Sequence, residues 1–203
     1  HVVFGEGLAI LAGDALLTEA FQILAKFPNT SDPSLIDRKL RVVESIATAA
    51  GVTGMLGGQV VDLAAAGQLS AQSTNQSNKP SPHFGPTELR AMHERKTGAL
   101  IKAAVVAGAT MIGGCSREVQ AVETYAKHLG LAFQIVDDIL DVESTEESLG
   151  KTVGKDAAAG KPTYPSMFGI EESRRMSLSS IEQAKASLTT AGLAGPLAGI
   201  ADW

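Results

Sequence analysis

The sequence predicts an all-α fold; its periodicity carries that prediction, and two features of its composition are compatible with it. Apolar residues recur at helical spacing and almost nowhere at alternate positions. A 44% hydrophobic share over 203 residues is enough to bury a core. A 4% aromatic share with 21 glycines suits closely packed helices. The formal charge of −5 argues against a nucleic-acid partner, which would call for a basic face. A single cysteine, Cys115, excludes an internal disulfide or a Cys-based metal site and points to a reducing compartment. The longest uncharged stretch, Ser45 to Val61, is interrupted by Gly51, Gly54, Gly57 and Gly58 and falls short of the ~20 apolar residues of a membrane span, so no transmembrane segment is expected. The N-terminus lacks the basic-then-apolar layout of a signal peptide.

The elements follow in order. Leu8, Leu11, Ala12, Ala15, Leu16 and Ile23 mark a first helix between Glu6 and Phe27. Ser31-Asp32-Pro33 starts a second, with a capping side chain before a proline in the first turn; it runs through Ile36, Leu40, Val43 and Ile46 to Ala50. Val52 to Gly67 is rich in Gly and Ala, which permits close approach of helices or of a ligand at some loss of helix propensity. Residues 70–86 have too few apolar side chains to pack and three prolines near their end, so they read as a surface loop. One continuous helix is expected from Thr87 to about Ile112, and another from a Ser116 cap to Val142 or Glu143, with Val119, Val122, Ala126, Leu129, Phe133, Val136 and Leu140 as its apolar positions. The pattern breaks from Glu146 to Pro165 and resumes near Glu171.

The main chemical signal is Asp137-Asp138-Ile139-Leu140-Asp141 at the end of an apolar helix. Asp137 and Asp141 are i and i+4 on one face, and Asp138, about 100° round, reaches the same ion from the flank. Like charges at a helix C-terminus oppose each other and the macrodipole, a cost that Mg²⁺ would reverse. A solvated acidic helix end is the alternative. The run 150–163 carries Lys151, Lys155 and Lys161 with three glycines, suiting phosphate oxygens, although by itself it could be an ordinary basic loop. It lacks the spacing of a nucleotide phosphate loop. Lys96-Thr97 pairs an ammonium with a hydroxyl; taken alone it reads as a solvated helix surface. Gln59 and Asp62, i and i+3, suit either structural hydrogen bonding or ligand contact. His1, His83, His93 and His128 have no zinc spacing, and His93 and Lys127-His128 read as surface residues.

Taken together and in order, Gly5-Glu6 leading into Gly13-Asp14-Ala15-Leu16-Leu17, Gly58-Gln59 with Asp62, Lys96-Thr97-Gly98, Phe133-Gln134 with Asp137 to Asp141, Gly150-Lys151, Lys155-Asp156 and Lys161-Thr163-Tyr164-Pro165 resemble the trans-isoprenyl diphosphate synthases of the polyprenyl synthetase family, of the farnesyl and geranylgeranyl type. The resemblance spans nearly the whole chain. It implies an isoprenoid-synthase helical bundle around a central cavity, incomplete at its N-terminus: residues 1–203 read as a partial domain that lacks the family's first aspartate-rich motif. It implies three Mg²⁺ ions, with Asp137, Asp138 and Asp141 as metal ligands. Lys96, Lys151 and Lys161 would contact an allylic diphosphate, Thr97 and Gln134 would line that end of the pocket, and Asp156, Gln59 and Asp62 would support from behind.

The implied activity is condensation of isopentenyl diphosphate with an allylic diphosphate, giving geranylgeranyl or, as runner-up, farnesyl diphosphate. The fragment alone is expected to be inactive. A non-catalytic regulatory subunit of a heteromeric prenyl synthase is the alternative, against which the retained acids and lysines argue. A homodimer is expected, with Ala9 to Ala20 and Ala103 to Ile112 as interface candidates, in the cytoplasm or a plastid stroma.

Overall fold

The computed structural model describes residues 1–67, 84–143, 161–193 and 195–202. Within them every regular element is helical: α1 (Glu6–Lys26), α2 (Pro33–Ala50), α3 (Met55–Ala65), α4 (Pro86–His93), a π-helical turn (Glu94–Gly98), α5 (Ala99–Met111), α6 (Ser116–Glu143), α7 (Tyr164–Phe168), α8 (Ile170–Ala191) and α9 (Pro196–Ile200). The all-α expectation holds. Nearly all of the expected 70–86 loop lies outside the described residues, and Pro86 already opens α4.

The 28-residue α6 is the spine. It packs most extensively on α8, with α5 on another side; α2 lies on α5, and α3 lies on the π turn. Two apolar clusters form along α6. Val122, Tyr125 and Ala126 meet Ala184, Leu188 and Ala201 at its N-terminal end, where the Tyr125 hydroxyl donates to the Leu197 carbonyl at 2.6 Å. Leu131, Ile135 and Ile139 meet Leu89, Met92 and Tyr164 at its C-terminal end. The second cluster holds the acidic end of α6 against α4 and α7.

Helix α2 begins as the sequence predicts: the Asp32 carboxylate accepts the Ser34 N–H at 3.0 Å and Pro33 takes the first turn. Other boundaries move. Cys115, not Ser116, caps α6, since its carbonyl accepts from Val119 N–H and its own N–H donates to Glu118 Oε2 at 2.7 Å. The expected Thr87–Ile112 helix is interrupted by the π turn at residues 94–98, which packs on α3 and α6, contacts that local periodicity does not record. The short α7 precedes the periodic α8 and is started by Thr163, whose hydroxyl accepts Ser166 N–H at 3.3 Å.

The apolar stripe of α6 also differs from the expected one. Tyr125, Leu131, Ile135 and Ile139 are buried, whereas Phe133, Val136 and Leu140 are exposed. Helix α1 buries none of its residues among those described, although its 21 residues, with a window of mean hydropathy 1.6, meet the length and composition of a membrane span, as the α2–α3 stretch also does. Length and composition alone do not make a span: α1 carries Asp14 and Glu19 in its middle, and the α2–α3 stretch is broken by Gly51, Gly54, Gly57 and Gly58.

Candidate functional site

The site is assembled by two glycines. A Cβ on Gly58 of α3 would stand 2.3 Å from the Lys96 nitrogen and 2.6 Å from its Cα, so α3 approaches the π turn backbone to backbone. A Cβ on Gly130 of α6 would meet the Gly98 Cα at 3.1 Å. The π turn therefore sits wedged between α3 and α6, and its extra residue directs Lys96 to one neighbour and Thr97 to the other.

On the α3 side, Asp62 is buried at 4% exposure. Its Oδ2 lies 2.5 Å from Lys96 Nζ and 3.6 Å from Lys161 Nζ. One carboxylate thus gathers two ammonium groups from segments about 65 residues apart. On the α6 side, Thr97 Oγ1 donates to Gln134 Oε1 at 3.0 Å, and Gln134 Nε2 donates to Asp138 Oδ1 at 3.0 Å. Asp138 Oδ2 accepts the Tyr164 N–H at 2.9 Å. This chain ties the π turn, α6 and α7 together through buried groups, where a satisfied network rigidifies its surroundings.

The three acids of α6 part company here. Asp137 is exposed and Asp141 half-buried, while Asp138 is only 3% exposed and faces inward. Asp141 and Lys161 line one cleft of about 750 Å³, together with Thr163, Ser166 and Glu171. Among the described residues no three His, Cys, Asp or Glu side chains converge as a metal cage. Two outward carboxylates one turn apart nevertheless fit Mg²⁺, a hard cation that commonly takes one or two carboxylates, water and substrate phosphate. Gln59 is half-buried beside the Gly58 contact. Lys151 and Asp156 lie outside the described residues.

One expectation is overturned. His93 is buried at 6% exposure rather than at the surface, with Nε2 3.7 Å from Asp138 Oδ2 and its ring stacked on Tyr164 at 5.8 Å between centroids. Position 93 falls in line with Leu89 on the buried face of α4, a one-turn spacing that could have flagged it. His128 is half-buried, and burial, then Arg90 and Lys127, hold its pKa below the usual histidine value. Burial likewise pushes the Tyr164 phenol up to about 12, with Arg90 opposing and the Asp138 and Glu94 charges adding to the rise.

Fold and site define an all-helical bundle that collects lysines and carboxylates at one end of its central helix. Residues 1–191 match the family model for polyprenyl synthetase, and the chain belongs to that family. It is 40% identical to a geranylgeranyl diphosphate synthase of Cyanophora paradoxa over 100% of this chain and 63% of that protein. It is also 40% identical to a farnesyl diphosphate synthase of Bacillus subtilis over 91% of this chain and 57% of that one. The chain thus spans somewhat more than half the length of these relatives. Among solved structures, a geranyltransferase from Helicobacter pylori complexed with magnesium and isoprenyl diphosphate superposes with a TM-score of 0.76 at 26% identity, over 99% of this chain and 60% of that one. An FPP/GFPP synthase from Zymomonas mobilis gives 0.72 at 32% identity, over 98% and 59%.

Proposed function

We propose that this chain is part of a short-chain prenyltransferase that condenses isopentenyl diphosphate with an allylic diphosphate to yield geranylgeranyl or farnesyl diphosphate. The observation that carries the reading is the convergence of Lys96 and Lys161 on buried Asp62, beside the α6 end that bears Asp137 and Asp141. Breaking an allylic C–O bond places up to three negative charges on the departing diphosphate. Lys96 and Lys161, with Lys151 as a third, bind those oxygens and oppose charge that grows in the transition state. Asp62 holds the first two ammonium groups convergent before substrate arrives, so less ordering is required on binding. Thr97 and Gln134 fix the pocket end that faces the π turn, and the surrounding apolar side chains exclude water from the allylic cation. The proton lost after attack by the isopentenyl double bond goes to the released diphosphate.

Asp137 and Asp141 are the residues of this chain that would hold Mg²⁺. Bound there, Mg²⁺ supplies positive charge that stabilises the leaving diphosphate. Asp138 acts behind them, holding Gln134 and Tyr164. Because the chain spans only part of the length of its relatives, activity with three ions, as a homodimer in the cytoplasm or a plastid stroma, is proposed for the full-length protein. The test is Mg²⁺-dependent conversion of isopentenyl diphosphate and geranyl diphosphate by that protein. Asp137→Ala is expected to lower kcat roughly 10²–10³-fold, in the range of removing one transition-state charge partner. An unchanged rate in that variant, or with chelator, would overturn the metal role.

A further inference from the structure

We propose that His93 is a positioning residue that fixes Asp138 and the start of α7, and through them the pocket for a magnesium–diphosphate group; the proposal rests on the function just described. His93 is the last residue of α4 and is joined directly to the π turn that delivers Lys96 and Thr97. Its imidazole touches both other site segments. On one edge, Nε2 lies 3.7 Å from Asp138 Oδ2, the same oxygen that accepts the Tyr164 N–H at 2.9 Å. On its face, the ring stacks on Tyr164 with an interplanar angle of 23°, and Tyr164 stacks in turn on Phe168. Lys161 lies three residues before Tyr164, and Asp137 and Asp141 flank Asp138 on α6. One buried side chain at the edge of the π turn therefore lies against both α6 and the start of α7.

Packing alone does not account for histidine at this place. Phenylalanine would fill much the same volume and stack as well, yet it would set a hydrocarbon edge against a carboxylate that is 3% exposed. A polar atom on that edge lets Asp138 remain inward, and an inward Asp138 leaves Asp137 and Asp141 turned to solvent and to the cleft. Gln134 Nε2 and the Tyr164 N–H hold the two carboxylate oxygens, and the imidazole adds a polar neighbour on the α4 side. The geometry thus separates two parts of the side chain: the ring stacks on Tyr164, and Nε2, at 3.7 Å and beyond hydrogen-bond distance, places a polar edge beside Asp138.

The two parts are tested separately in the full-length protein. His93→Phe keeps the ring and removes the nitrogen, while His93→Gln keeps an N–H at the Nε2 position and removes the ring. The first readout is calorimetric binding of inorganic pyrophosphate with and without Mg²⁺. His93→Phe is expected to weaken pyrophosphate binding about tenfold when Mg²⁺ is present and less than twofold when it is absent, whereas His93→Gln stays within about threefold of the wild type in both. The Mg²⁺ concentration for half-maximal activity should rise in parallel for His93→Phe alone. Equal losses with and without Mg²⁺, or the same loss in both variants, would show a structural role only and overturn the proposal. If His93→Phe fails to fold, Asp138→Asn provides the second arm: it should reproduce the Mg²⁺-specific loss, and its failure to do so refutes the assignment. A wild-type protein that binds magnesium pyrophosphate but condenses no prenyl substrate would sink the proposed function and leave the role of His93 standing.

Discussion

Gly58→Ala puts the contact between α3 and the π turn to a quantitative test. The added methyl would begin 2.3 Å from Lys96 N and 2.9 Å from the Arg95 carbonyl carbon, and both belong to a backbone held by its own hydrogen bonds. Ordinary contact starts near 3.4 Å, so α3 and the π turn must separate by about 1 Å. Overpacking of this kind costs about 1–3 kcal/mol, and the better helix propensity of alanine returns at most ~1 kcal/mol. The net loss of up to about 2 kcal/mol corresponds to a fall in Tm of up to roughly 8 °C for a protein of this size. Asp62 lies one turn beyond Gly58, so the same shift stretches its 2.5 Å contact with Lys96. A misplacement near 1 Å costs up to ~10²-fold in reactions that depend on alignment, and a 10- to 100-fold fall in kcat/KM is expected. The assays are thermal unfolding and steady-state kinetics at saturating Mg²⁺. Gly108→Ala is the control: nothing lies within 4 Å of its Cβ position, and it should gain up to ~1 kcal/mol in stability. Wild-type Tm and kcat/KM in Gly58→Ala would refute the close-approach argument.

Two further outcomes follow from the buried network. Gln134→Leu removes the acceptor of Thr97 and the donor to Asp138 Oδ1, leaving a buried carboxylate oxygen short of a partner. A loss of about 1–3 kcal/mol in urea unfolding is expected, and a change below 0.5 kcal/mol would show that the chain of bonds does not stabilise the fold. For Tyr164, burial raises the folded pKa to about 12 against an ordinary 10. The unfolded phenol ionises first, so stability is flat below pH 10 and falls as pH rises toward 12, by up to about 2 kcal/mol. Tyr164→Phe should flatten that slope in unfolding measured from pH 9 to 11.5, and an unchanged slope would locate the titration elsewhere.

The helices were legible because their causes are local. Asp32-Pro33 carries its own start signal, and α6 announces itself over seven turns of apolar recurrence. What the sequence concealed was set by neighbours. Gly58 and Gly130 let two other helices close on residues 94–98 where the π turn lies, and nothing in Glu94-Arg95-Lys96-Thr97-Gly98 departs from an α-helical pattern by itself. The buried stripe of α6 was read correctly at Val122 and Ala126 and misjudged toward its C-terminal end for a related reason. Periodicity finds residues that share a face but does not say which face meets a partner, and Phe133, Val136 and Leu140 form a consistent set that packs on none of the described helices closely enough to be buried.

The site shows the same division at the level of single side chains. Asp62, Lys96 and Lys161 could be nominated from residue type and order, but their union around one carboxylate depends on α3 meeting two distant segments. Residue type groups Asp137, Asp138 and Asp141 as three equal ligands, since each is a carboxylate within one helical turn. Burial separates them, because a rotation of 100° per residue takes Asp138 from the open face of α6 into the cluster of α4 and α7. A carboxylate so placed must find polar neighbours inside the protein, and Gln134, the Tyr164 N–H and His93 stand around it. Burying Asp138 is therefore what makes a buried histidine useful at position 93. The clustered acids that looked costly for a helix end are thus divided by burial: Asp138 is satisfied from within, and Asp137 and Asp141 lie on the outer side, where the proposed function places the cation.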